Sequence, residues 1–200
     1  MAENDVLNEE IERSSDTNTD SARVLMTKRA IFFALRDLVA ERDFASVTAS
    51  DIMERAGVSR STFYRCFSDK FDVVNWSFKR FKNIRLQDRA QYHSFQTSLR
   101  VQLDHLAENR SFYVAALRFR GQNSLHDSIV ETNEEYMFQC WDAAHGSEPS
   151  LEDRTAIRFS AAGCSYVIER WLIDGCTDDP DDVVAAVCSC IPQQVLQTLY

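Results

Sequence analysis

The sequence predicts an all-α protein, and three observations predict it. Only five Gly and three Pro occur in 200 residues, so sharp turns are scarce. Apolar residues recur at three- and four-residue spacing along most of the chain, as they do on one face of a helix. No stretch alternates apolar and polar residues in the manner of a half-buried strand. The expected architecture is an N-terminal three-helix domain with a helix-turn-helix, residues 23–70, followed by a helical bundle, residues 71–200.

The elements follow in order. Residues 1–22 hold seven acids, one base and few apolar side chains, which reads as a disordered acidic tail. Residues 27–42 form an amphipathic helix with Ile31, Leu35 and Leu38 inward and Lys28, Arg29 and Arg36 near the surface. Residues 43–47 are a loop. Thr48 then caps a short helix, and Asp51 sits near its positive end. Gly57 permits the left-handed backbone of a sharp stop. Val58 is an apolar plug, and Ser59 caps the next helix. That helix turns Phe63 and Phe67 inward and Ser61 and Arg65 outward, with Thr62 and Tyr64 on the flanks. Ser68 is the expected cap of a long fourth helix starting at Asp69, with Phe71, Val74, Phe78 and Phe81 on one face. Further helices are expected at 94–108, 110–121, 124–145, 151–175 and 181–198, with Gly146 and Gly175 as helix ends.

Two short helices across an Ala-Gly-Val turn, with hydroxyls and Arg65 facing out, suit a helix-turn-helix that reads DNA. The same spacing also fits an ordinary helical hairpin. Charge weighs on the side of DNA. The net charge is −9, yet residues 23–85 carry thirteen bases against seven acids, and residues 86–200 carry eight bases against seventeen acids. Positive charge is therefore gathered where the hairpin lies, as a polyanionic partner requires.

Residues 24–74 resemble the DNA-binding domain of the TetR family of bacterial transcription regulators. The resemblance runs through Thr27-Lys28-Arg29-Ala30-Ile31, Phe44 to Thr48, Ile52, Ala56-Gly57-Val58-Ser59, Thr62-Phe63-Tyr64, Phe67 and Asp69-Lys70. Its most specific part is Tyr64, Phe67 and Lys70 at the family's spacing. Ser61, Phe63 and Cys66 depart from the residues most usual there. The resemblance implies a dimer on a double-stranded operator. With the geometry, it points to Ser61, Thr62 and Arg65 for base edges, to Thr48, Tyr64 and Lys70 for phosphates, and to Arg60 as a further DNA contact.

The second region is similar to one TetR branch, which includes regulators of dihydroxyacetone kinase operons. Glu108-Asn109-Arg110, Phe112-Tyr113, Phe159 to Gly163 and Trp171 to Gly175 carry that likeness. The family implies a repressor released by a small effector. The branch also offers the alternative of a coactivator controlled by a partner protein. An aromatic set with one cation, Phe112, Tyr113, Arg118, Tyr136, Trp141 and Phe159, is the candidate effector pocket, although aromatics at helical spacing are more often plain core. Acidity of this region favours an apolar or cationic effector. Phe159, Gly163, Val167 and Trp171, with Val184, Val187 and Ile191, form a candidate homodimer face; both stripes could instead pack within one chain.

Other classes find little support. There is no G-x-S-x-G, H-E-x-x-H or glycine-rich phosphate loop, and the four histidines are scattered, so no catalytic residue is expected. The six cysteines form no CxxC pair, so neither a metal nor a cofactor is expected. No apolar run reaches membrane-spanning length and the N-terminus is acidic, which suits a cytoplasmic protein off the membrane.

Overall fold

The computed structural model describes residues 22–87, 94–119, 121 and 124–199, with 81–87 described by backbone alone. The expected acidic tail falls, apart from residue 22, outside the described residues. The described residues form ten α-helices and no strand. They divide into two compact units, Met1–Asp88 and Arg89–Tyr200.

Unit 1 contains α1 (Ala22–Glu41), a single 3-10 turn (Phe44–Ser46), α2 (Ala49–Ala56), α3 (Arg60–Cys66) and α4 (Lys70–Gln87). Most element starts have a local cause. Asp43 caps the 3-10 turn through Ala45 N–H at 3.0 Å. Thr48 and Asp51 make a reciprocal capping box at the start of α2. Gly57 ends α2 at φ 64°, where a Cβ would be strained. Ser59 caps α3 through Thr62 N–H at 3.2 Å. At α4 the cap differs from expectation. Asp69, not Ser68, accepts the Asp72 N–H at 2.8 Å, and Asp72 reaches back to the Ser68 N–H at 3.0 Å. A carboxylate suits this positive helix end better than a hydroxyl.

Ile31 and Leu35 of α1, Ile52 of α2, Phe63 of α3 and Val73 of α4 are fully buried together. The Trp76 ring meets Phe32 edge-on at 6.5 Å and Phe67 at 5.7 Å. α4, expected to open the second domain, thus packs in the first unit. Arg55 clasps Glu41 with two bonds of 2.8 Å, fastening the end of α2 to the end of α1.

Unit 2 contains α5 (Phe95–Glu108), α6 (Arg110–Leu117), α7 (Leu125–His145), α8 (Leu151–Ile173), α9 (Pro180–Cys190) and α10 (Gln193–Leu196). Ser94, Ser124, Ser150 and Asp179 cap α5, α7, α8 and α9. α6 stops at Leu117, short of the expected 121. The expected helix 181–198 is broken at Ile191-Pro192. Proline cannot donate to a helix and forces its predecessor out of the helical region, so Ile191 lies at φ −79°, ψ 126°. Leu103, Tyr113, Leu117, Leu125, Ile157, Leu172 and Leu199 form the centre of this core.

Candidate nucleic-acid interface

α3 is seated from within. Phe63 is fully buried, with its ring edge-on to Tyr64 at 5.3 Å and 6.4 Å from Phe67. This seating turns Arg60, Ser61, Tyr64 and Arg65 to solvent and leaves Thr62 half-buried. The structure therefore brings five of the seven expected DNA-contact residues onto one short helix.

Their states differ. The Arg60 guanidinium lies over the Tyr64 ring at 5.2 Å, which orders both side chains on the outer face. The Ser59 hydroxyl sits 3.0 Å from Ser61 Oγ and 2.9 Å from Thr62 Oγ1, so three hydroxyls share one cluster at the helix start. Among the described residues Arg65 makes no hydrogen bond or ion pair, and it is exposed. A guanidinium with all its N–H groups available at the end of an outward face is equipped for a paired contact with guanine.

The other two expected phosphate contacts are engaged elsewhere. The Thr48 hydroxyl donates to Asp51 Oδ2 at 2.7 Å, and that same oxygen accepts the Thr48 N–H at 2.8 Å and pairs with Arg42 at 2.9 Å. These donors, the Thr48 hydroxyl first, hold the Asp51 carboxyl down at about 2. Thr48 is thus a cap whose proton is already given away. Lys70 departs further from expectation. Its Nζ donates to the carbonyls of Phe44 at 2.7 Å, Ala45 at 3.2 Å and Val47 at 2.8 Å. It lies 4.7 Å from the Phe44 ring centre and 5.6 Å from that of Phe71. Burial lowers its pKa from the usual lysine value. Spacing along the chain showed Lys70 as basic, but not that three carbonyls would converge on it.

In unit 2 the structure divides the two candidate sets. Phe112, Tyr113 and Trp141 are buried and Tyr136 is half-buried, whereas Arg118 is exposed and Phe159 is 72% exposed. Phe159 and Arg118 therefore line no interior pocket. Phe159, Gly163 and Val167 do face solvent on α8, but Trp171, Val184, Val187 and Ile191 are buried within the single chain. The cause is helical drift. A series spaced by four gains about 40° per step, so Trp171 has turned about 120° from Phe159 and enters the core. Tyr166, seven residues from Phe159, stays on the outer face at 59% exposure and was not part of the expected dimer stripe. The period of seven is the signal that finds it.

Comparisons with known proteins identify the family. Residues 27–75 match the family model described as bacterial regulatory proteins, tetR family. Residues 93–193, half of the chain, match a transcriptional regulator C-terminal region. The chain is 30% identical over 89 residues to the HTH-type dhaKLM operon transcriptional activator DhaS of Lactococcus lactis, covering 44% of this chain and 48% of that protein. It is 44% identical over 52 residues to the uncharacterized HTH-type transcriptional regulator YdeS of Bacillus subtilis, 26% of either chain. The chain thus spans half or less of the length of these relatives. Among solved structures, the dihydroxyacetone kinase operon activator DhaS superposes with TM-score 0.63 at 21% identity, covering 88% of this chain and 98% of that one. The fatty acid degradation regulator FadR of Bacillus halodurans gives 0.57 at 20%, covering 85% and 94%. A FadR of Thermus thermophilus in complex with lauroyl-CoA gives 0.54 at 17%, covering 82% and 92%. These structural likenesses establish the fold. With its helix-turn-helix matched by one family model and half its length by a regulator C-terminal model, the chain is a member of the TetR family of bacterial transcriptional regulators.

Proposed function

We propose that the chain binds operator DNA as a two-fold homodimer, with α3 in the major groove. Ser61, Thr62 and Arg65 read base edges, while Arg60 and Tyr64 contact phosphates. The observation that carries this reading is the exposed Arg65, unpartnered among the described residues, on a helix anchored by the buried Phe63. Phe159, Gly163, Tyr166 and Val167 supply the dimer face, because large apolar side chains in water on one helix stripe favour burial against a second copy. Electrostatics agree, since unit 2 is acidic and repels the duplex.

The regulator acts as a repressor released by a small apolar or cationic effector held in unit 2. Ser128 Oγ, buried without a hydrogen-bond partner among the described residues, supports a ligand there, since a hydroxyl oxygen can accept from a cationic group. Activation in concert with a partner protein is the second reading, favoured by likeness to a relative named as an operon activator. A mobility-shift titration on the promoter beside its own gene, paired with in vitro transcription, tests both. Repression relieved by an apolar or cationic compound supports the first. Transcription that rises only when a purified partner protein is added supports the second. Binding to no promoter fragment overturns both.

A further inference from the structure

Lys70 is the first residue of α4, where the helix dipole presents positive charge to a cation. A lysine in that place needs compensation, and three carbonyls provide it: Phe44, Ala45 and Val47 accept from Nζ at 2.7, 3.2 and 2.8 Å. An ammonium carries three N–H groups, so all three are used. The Phe44 and Phe71 rings flank the charge, and Asp43 and Asp69 lie within electrostatic reach. A phosphate could take an N–H only by stripping a carbonyl of its donor. The carbonyls belong to the 3-10 turn and the residue after it, which lead straight into the Thr48 cap of α2, and α2 carries the reading helix across Gly57.

We infer that Lys70 is a positioning residue for DNA recognition: it ties the start of α4 to the turn before α2, and so sets the angle at which α3 is offered, without contacting phosphate. This rests on the reading that α3 contacts DNA. Its closing experiment separates the two.

The full-length chain labelled with 15N reads the tie directly. A Lys70 ammonium held by three carbonyls gives a side-chain signal that survives solvent exchange near neutral pH in the cold, identified by its loss in Lys70→Arg. A signal exchanged away like those of solvated lysines overturns the tie. The DNA arm uses the tightest duplex selected from a random pool and a random-sequence duplex as probes. Lys70→Arg keeps the charge, but its planar fork cannot direct three N–H groups at converging carbonyls. The expected result is a loss of about tenfold or more in the ratio of selected to random affinity, with the salt slope unchanged in Lys70→Arg and Lys70→Met alike. If Lys70→Arg keeps the ratio while Lys70→Met lowers the slope by about one, Lys70 is a phosphate contact and the inference fails. Should Lys70→Met not fold, the wild-type signal and Lys70→Arg carry the decision. A wild-type chain that selects no duplex overturns the DNA reading and the recognition half of this inference, while the ammonium signal still decides the tie.

Discussion

The Arg110 Nε–H donates to the carbonyl of Leu172 at 2.7 Å, so a side chain at the start of α6 finishes a helix 62 residues later. Its Nη2 adds a bond to the Ile173 carbonyl at 2.9 Å. The last carbonyls of a helix lack partners within it and carry its negative end, so a guanidinium satisfies both needs. Beyond them the chain turns through Gly175 at φ 106° and Cys176 at φ 55°, a conformation that strains any residue with a Cβ. Trp171 Nε1 donates to the Asp178 carbonyl at 3.0 Å and holds the far side of the same turn. Arg110→Met should lower unfolding stability by about 2–4 kcal/mol through loss of two charge-assisted bonds. Urea denaturation checks this, and a change below about 0.5 kcal/mol would remove Arg110 from the support of that turn.

Arg65→Ala should weaken binding to the preferred operator by about 1–3 kcal/mol and leave a random duplex almost unaffected. Fluorescence anisotropy on both probes makes the comparison. Equal weakening on the two would move Arg65 to a phosphate contact.

The face of α8 gives a paired prediction. A Cβ at Gly163 meets nothing within 4 Å in the single chain, so Gly163→Glu should fold. It should nonetheless sediment as a monomer where the wild type is a dimer, since an unpaired charge buried between subunits is costly. Trp171→Ala should do the reverse, keeping the dimer contact but losing about 3–5 kcal/mol of fold stability from a core cavity. A monomeric wild type at micromolar concentration would sink the interface.

Acid should loosen the start of α2. Asp51 titrates at about 2 in the folded chain against an ordinary 3.8, a depressed value, so its contribution is complete above pH about 4 and drains as pH falls toward 2. Asp51→Asn should therefore melt below the wild type at neutral pH, with the gap narrowing below pH about 4. Thermal melts followed by circular dichroism across that range decide it; a gap that stays constant would count against the carboxylate as the cause.

The division between the two sources of information is a division between local and distant contacts. Caps and stops such as Thr48 with Asp51, Gly57, Ser59 and Gly146 were legible in the sequence, because each acts on backbone within four residues. So were the inward Phe63 and outward Arg65, since rotation over two residues leaves little room for error. Family resemblance carried the DNA-binding reading further than composition could, and likewise from local strings. What only the tertiary structure decided was which partner each face meets. Lys70 was visible as a charge, but its three carbonyls lie 23 to 26 residues away. The stripe Phe159-Gly163-Val167-Trp171 looked continuous along the chain, yet helical drift carries its last member into the core and leaves the others in water. Val184, Val187 and Ile191 were as apolar as an interface requires, and the single chain had already buried them. Periodicity names a helix face; only packing names what covers it.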